Sequence, residues 1–228
     1  MNSMNNIFPY LTDLENNNNR EWFNANKEVY KKSCAEFEEV LRSLVLAVNK
    51  FDVSIPFCDP KSLMFKVTRD IRFSSDKTPY NPSFRAYISS AKKMPIPVGY
   101  HIFIQPGDRS FLGGGLAHSG VKGAADRVRS YIISHSLEFS EIITDKEFSA
   151  HFSIQGEALK NVPRGYDKNH PQAEYLKNKS WYLQYPVSDN LFSDTDNFVG
   201  QAEQIFLLMK PFNDYLNAAL SGLEMPTR

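Results

Sequence analysis

The residues best suited to chemistry lie between positions 66 and 85, where cationic, acidic and aromatic side chains follow one another closely. This segment carries five cations and two anions, which gives it a net charge of +3 in a chain whose net charge is zero. Guanidinium groups hold carboxylates and phosphates in a two-point geometry, and a lysine adds a mobile positive charge. The segment therefore predicts an anion site. Its proposed ligand-binding cations are Arg69, Arg72, Lys77 and Arg85.

The acidic and phenolic groups of the same segment are candidates for catalysis. Asp70 and Asp76 could serve as acid or base or orient the arginines, and Tyr80 could donate a hydrogen bond. A second interpretation is structural, because arginines and aspartates interspersed in a long connection commonly form an ion-pair network that fixes the loop. Both interpretations predict that at least one of the two strand-end arginines pairs with a carboxylate.

Three consecutive glycines, Gly113, Gly114 and Gly115, form a second unusual feature. Glycine weakens a strand, so either another group approaches the main chain closely there or the strand bulges. The first interpretation places backbone amides on the floor of a ligand pocket, and the second is purely structural. His118 follows the triplet and is the candidate general base among the histidines. No glycine motif for a nucleotide cofactor and no zinc spacing occurs, so the sequence implies neither a cofactor nor a metal.

The elements that must position these residues are mostly strands joined by short, turn-rich connections. Alternation of apolar and polar residues predicts strands at residues 63–68, 84–88, 100–105, 110–114 and 180–185. Such connections favour an antiparallel arrangement. The prediction is a single α+β domain over residues 1–228, with a mostly antiparallel sheet of about five strands and long helices packed mainly on one face.

Helical periodicity predicts a long helix over residues 18–49 that begins at Asn18 as its cap. Leu41, Leu44 and Val48 belong to its apolar stripe and should be buried against the sheet. Further helices are predicted at residues 124–136, 140–151 and 172–177 and from residue 193 onward.

Composition limits the classes of protein that the chain can represent. Aromatic residues make up 13% and charged residues 23%, which is typical of a globular protein with a substantial core. Two cysteines without a disulfide framework favour the cytoplasm. We expect no secretory leader, because the first residues lack a basic region followed by an apolar stretch, and no window reaches the roughly 20 apolar residues that a membrane span requires. Zero net charge argues against binding to duplex nucleic acid.

Short motifs along the chain carry a resemblance to one family. They are NNREWF at residues 18–23, RDIRFSSDKTPY at 69–80, GGG at 113–115, LKNVPRGY at 159–166, HP at 170–171 and PFNDYLN at 211–217. With these motifs the chain resembles the uncharacterised family called domain of unknown function 2461. The resemblance implies an architecture and an intracellular bacterial setting, but it implies no reaction.

Two functions from different classes are compatible with these residues. In the first, the protein is a cytoplasmic enzyme or binder of a small phosphorylated or carboxylated ligand, which the Arg/Asp/Lys cluster holds. The alternative is a non-catalytic interaction module that contacts single-stranded nucleic acid or an acidic protein partner, with the cluster otherwise a structural lock. Charges that converge on a concave pocket backed by the glycines would favour the small ligand.

Overall fold

The computed structural model describes residues 4, 6–118 and 120–223. Helices in this part of the chain are α1 (Ile7–Asn16), α2 (Arg20–Ala25), α3 (Lys27–Asn49), α4 (Ala124–Ser134), α5 (Ser136–Thr144), α6 (Lys146–His151), α7 (Ala173–Leu176) and α8 (Thr195–Ala219). Strands are β1 (Phe84–Ile88), β2 (Tyr100–Ile104), β3 (Ser110–Leu116) and β4 (Trp181–Val187). Four of the helices thus lie in the long connection between β3 and β4.

The four strands form one antiparallel sheet in the order β1-β2-β3-β4. This confirms the α+β class and the antiparallel arrangement. Because neighbouring strands run in opposite directions, the connections that leave β1 and β3 emerge at the same end of the sheet. Successive side chains alternate between the two faces, so each strand contributes to both.

The prediction of about five strands is wrong, because residues 63–68 do not form one. Met64 makes a single bridge with Ala86 of β1, and Thr68 makes another with Tyr80. The segment divides its backbone hydrogen bonds between β1 and the loop around Tyr80. No continuous ladder can form with either partner, although the alternation of apolar side chains is that of a strand.

One face of the sheet is covered by α3 and α8, which also pack against each other. The ring of Phe37 on α3 stacks on Phe84 of β1 at 5.4 Å, and Phe206 of α8 lies 5.0 Å from Tyr100 of β2. The predicted burial of the α3 stripe is confirmed at Leu41, Leu44 and Val48. No helix in the described part of the chain has the length and apolar character needed to cross a membrane.

The long helix predicted over residues 18–49 is divided into α2 and α3, and its predicted cap is wrong by one residue. Asn19 caps α2, since its side chain accepts a hydrogen bond from the backbone N–H of Trp22 at 2.9 Å. Asn18 instead holds the backbone of Tyr80 through two hydrogen bonds of 2.9 and 3.1 Å. Capping preference alone does not distinguish two adjacent asparagines.

Candidate functional site

The face of the sheet opposite α3 and α8 forms the floor of a cleft of about 1320 Å³, here called the sheet cleft. All four strands contribute to the floor. Its walls come from two connections at one end of the sheet, namely residues 93–95 after β1 and residues 117, 118 and 120–122 after β3, and Phe65 from the segment before β1 also lines it. Strand alternation therefore decides which side chains reach the cleft.

A row of four residues crosses the middle of the floor, one from each strand: Tyr87, His101, Gly113 and Gln184. Gly113 has no side chain, so space opens between His101 and Gln184. The Tyr87 hydroxyl oxygen accepts a hydrogen bond from the backbone N–H of Gly99 at 2.7 Å. The hydroxyl proton of Tyr87 has no acceptor among the described residues.

His101 is a neutral polar group on this floor. Burial, together with the smaller effect of the positive charge of Arg85, lowers the pKa of its imidazole from the ordinary 6.5 to about 4. Neither ring nitrogen has a hydrogen-bond partner among the described residues. At pH 7 the ring therefore offers one N–H donor and one acceptor nitrogen to the cleft.

Cationic side chains lie at the wall end of the sheet cleft. Lys93 and Lys122 belong to its lining, together with His118. The Lys93 ammonium donates a hydrogen bond to the backbone oxygen of Met64 at 2.9 Å, which holds the charge at the cleft. None of the lining residues in the described part of the chain is acidic. Positive charge without a neighbouring carboxylate favours an anionic ligand.

The glycine triplet lies in the cleft lining, as one of its two interpretations requires. Pairing of β3 with β4 continues residue by residue through Gly113, Gly114 and Gly115, so no bulge occurs there. A methyl group on Gly114 would lie 3.1 Å from Oδ1 of Asn213. Gly115 has a φ of +85°, and a methyl group on it would lie 2.4 Å from the backbone oxygen of Trp181. Glycine is thus needed for the close approach of α8 and β4.

Sequence reasoning missed two asparagines of α8 that position the cleft. Asn213 accepts a hydrogen bond from the backbone N–H of Gly115 at 2.7 Å and donates one to the oxygen of Gly99 at 3.2 Å. Asn217 makes two hydrogen bonds with the backbone of Val98, at 2.7 and 3.0 Å. The signal that could have found them is their spacing of four residues on an otherwise apolar helix face, since buried amides require partners.

The prediction that at least one of Arg69 and Arg72 pairs with a carboxylate is confirmed, since both do. Nη1 of Arg69 donates to the carboxylate of Asp76 and to Oγ1 of Thr78. The Thr78 backbone N–H also donates to Asp76, at 2.9 Å. Hydrogen bonds from Thr78 and then from Arg69 lower the pKa of Asp76 from 3.8 to about 2. These contacts close the loop on itself.

The other cations of residues 69–80 are engaged within the same loop. The Arg72 side chain donates to both carboxylate oxygens of Asp70, from Nε at 2.9 Å and from Nη2 at 2.6 Å. Hydrogen bonding from Arg72 lowers the pKa of Asp70. The Lys77 ammonium donates to the backbone oxygen of Ile71 at 3.0 Å.

The structure divides the predicted site residues into two groups. One group lines the sheet cleft and consists of Gly113, Gly114, Gly115 and His118. The other group belongs to the 69–80 loop and lies outside the lining: Arg69, Asp70, Arg72, Asp76, Lys77 and Tyr80. Tyr80 is instead stacked on Phe23 with ring centroids 4.1 Å apart. Arg85 lies beside the cleft, where its guanidinium covers the ring of Phe65 at 5.8 Å. Within the described chain, no three His, Cys, Asp or Glu side chains are placed to hold a metal ion.

Comparison with known families identifies the class of this chain. The model of the family of conserved hypothetical proteins called DUF2461 matches residues 6–215 of the 228. The chain belongs to this family. No curated protein and no solved structure gives a significant match.

Proposed function

We propose that this protein binds a small anionic ligand, phosphorylated or carboxylated, in the sheet cleft. One observation carries the proposal: Lys93 and Lys122 line the cleft, and the described lining contains no acid. The polar floor adds hydrogen-bonding groups that have no partner in the described chain, including the neutral imidazole of His101. Convergence of a few polar groups in a concave site is the usual form of a small-molecule site.

We infer a binding role for His101 rather than a role as general base. A catalytic base works best when its pKa lies near the working pH. The pKa of His101 lies at about 4, so the ring is neutral at pH 7 but accepts a proton weakly. Its two nitrogens are better suited to hydrogen bonding with a ligand.

We further propose that residues 69–80 act as a structural lock. Each of the three cations Arg69, Arg72 and Lys77 already has a partner within the loop. At Arg69 and Arg72 a ligand anion would have to compete with a carboxylate, whereas Lys93 of the cleft, like Lys77, donates only to a backbone oxygen. The lysines of the sheet cleft face no carboxylate in the described lining, which favours the cleft as the place for the anion.

A thermal-shift screen tests this proposal. Inorganic phosphate, pyrophosphate and phosphorylated or carboxylated metabolites are added to the wild type and to two variants. A bound ligand at a hundred times its Kd stabilises a protein by about 2.7 kcal/mol, which raises Tm by several degrees. The double variant Lys93→Met/Lys122→Met should lose the rise, and the matched control Lys77→Met should keep it.

Two outcomes would overturn the proposal. The first is a screen in which no anion raises Tm of the wild type. The second is a rise that disappears in Lys77→Met but persists in the double variant, because the anion would then bind the 69–80 loop.

A specific observation favours the second candidate function, an interaction module for single-stranded nucleic acid or an acidic partner. The side chain of Phe73 is 96% exposed, and the guanidinium of Arg72 lies 5.8 Å from its ring centroid. An exposed aromatic ring beside a cation is suited to base stacking. Fluorescence anisotropy with a labelled single-stranded oligonucleotide tests this function, and equal affinity in Phe73→Ala would exclude a role for Phe73.

A cytoplasmic location belongs to the same proposal. Cys34 and Cys58 are both free thiols, which is the usual state of cysteines in a reducing compartment. A fluorescent fusion observed in cells tests the location.

A further inference from the structure

We propose that the ligand of the sheet cleft carries a planar heteroaromatic ring in addition to its anionic group, as a nucleoside monophosphate does. This inference rests on the proposed function, since it assigns the chemical class of the same ligand. It is argued from the rings, the walls and the hydrogen-bonding groups of the cleft.

Aromatic rings from β1, β2, β3 and β4 lie along the floor: Tyr87, His101, Phe111 and Tyr182. Phe111 is fixed from the side, because Phe103 stacks on it at 4.8 Å with an angle of 12° between the planes. The His101 ring is tilted by 56° to Phe111, with 5.5 Å between the ring centroids. Such rings offer faces and edges on which another planar ring can pack.

The walls of the cleft contribute apolar side chains as well as the two lysines. Met94 and Pro95 come from the connection after β1, and Val121 comes from the connection after β3. Both connections leave the same end of the sheet, so they enclose one end of the cleft. A flat apolar surface placed between these side chains and the aromatic floor would be removed from water on both sides, which is the main source of binding energy for a ring.

Polar groups on the floor match the edge of a heteroaromatic ring. The side-chain amide of Gln184 and the hydroxyl of Tyr182 have no hydrogen-bond partner among the described residues, and the same holds for the imidazole of His101. An amide offers donors and an acceptor side by side, which is the pattern that nucleobase edges present in return. Gly113 separates His101 from Gln184 without a side chain, so both can reach one ligand ring.

The size and the charge of the cleft agree with a ligand of two parts. Its volume of about 1320 Å³ exceeds the roughly 300–1,000 Å³ of most small-molecule sites, so an ion alone would leave it mostly empty. Lys93 and Lys122 lie in the connections at one end of the sheet, whereas the aromatic rings and Gln184 lie on the strands. A ring on the strands and an anion at the lysines would use both regions.

Isothermal titration calorimetry with three classes of probe tests the inference on the wild type. The probes are the nucleoside 5′-monophosphates of the four RNA bases, ribose 5-phosphate and the corresponding nucleosides. At least one monophosphate should bind at least about tenfold more tightly than ribose 5-phosphate, because stacking and edge contacts add to the anion contact.

The outcomes separate this inference from the proposed function. Equal affinity for ribose 5-phosphate and every monophosphate would overturn the ring and leave the anion site intact. Binding of none of the phosphorylated probes, after a screen without any active anion, would remove both. A short oligonucleotide that binds more tightly than every monophosphate would also overturn the assignment, because the cleft would then serve a polymer.

A matched pair of variants locates the ring. Gln184→Leu should weaken monophosphate binding about tenfold and leave ribose 5-phosphate unchanged, because only the edge contact is removed. The control is Gln201→Leu on α8, which makes the same change outside the cleft lining. Equal monophosphate affinity in both variants would contradict the placement of the ring at Gln184. Tyr182→Phe provides a second test if Gln184→Leu fails to fold, and circular dichroism monitors folding.

Discussion

His101 shows how position on a strand, rather than residue type, gives a side chain its role. The ring lies on the open face of the sheet, opposite Tyr87 on one side and Gly113 on the other. Burial opposes its protonation, and the charge of Arg85 adds to that effect. The sequence contains five histidines, and no local motif distinguishes this one. Only the register of the sheet brings it to the centre of the cleft.

The titration of His101 can be followed by NMR of its imidazole. We expect a pKa of about 4, and Arg85→Met should raise it because a repulsive positive charge is removed. The depressed pKa means that the unfolded chain binds a proton more readily than the fold does. The contribution of neutral His101 to the free energy of unfolding is therefore complete above pH 6.5 and falls as the pH drops from 6.5 to about 4.

The variant His101→Gln tests the stability consequence. Between pH 6.5 and about 4 the free energy of unfolding of this variant should fall less than that of the wild type, because glutamine does not titrate. Urea unfolding at several pH values measures the difference. A wild-type imidazole that titrates near 6.5, or an Arg85→Met variant with a lower pKa, would contradict the account of the floor.

The lock in residues 69–80 gives a second prediction at the scale of single residues. Arg69→Ala should lower Tm by about 2–4 °C, because Asp76 and Thr78 lose a shared donor. Lys77→Ala should change Tm by less than about 1 °C, because its ammonium has only an exposed contact with a backbone oxygen. The effect of Arg69→Ala should be present at pH 7 and shrink as the pH falls from 3.8 toward about 2, where Asp76 becomes protonated. Equal effects of the two variants at pH 7 would argue against the lock.

At the scale of elements, sequence patterns predicted the four strands of the sheet but also predicted a strand that does not form. Alternation identified β1, β2, β3 and β4 because each has one face against the helices. Residues 63–68 show the same alternation, yet their backbone turns from β1 to Tyr80 halfway along. Apolar alternation reports which side chains are buried, whereas pairing depends on where a partner strand runs. The spacing of Asn213 and Asn217 on an apolar helix face indicates that both amides need partners, but it does not say which ones, because the backbone groups that they bind lie in distant segments.

Asn213 provides the test at this scale. Asn213→Ala leaves the buried N–H of Gly115 and the oxygen of Gly99 without their partner, so we expect a loss of about 2–4 kcal/mol in the free energy of unfolding. Urea denaturation measures it. The matched control is Asn197→Ala, an exposed asparagine on the same helix, which should cost less than about 0.5 kcal/mol. Similar losses at the two positions would show that the hydrogen bonds of Asn213 with Gly115 and Gly99 contribute little to the free energy of unfolding.

At the scale of the whole molecule, the helices and the cleft use opposite faces of one sheet. Buried apolar side chains from helices and strands form one core, from which we infer that the chain is a single domain. The covered face follows from the apolar stripe of α3, which was predictable from its period. Of the residues that line the open face, the sequence singled out only the glycine triplet and His118, because the others come from strands and loops that are far apart in the sequence. Residues 69–80 were predicted as a site because their charges are adjacent in the sequence, but they lie outside the lining of the cleft.

A crystal structure of the protein grown with a saturating nucleoside monophosphate shows directly whether the ligand lies in the sheet cleft. We expect ligand density there, with the phosphate within hydrogen-bond distance of Lys93 or Lys122 and the base on the floor beside His101 and Gln184. Density at Arg69, Arg72 or Lys77 with an empty cleft would contradict this expectation.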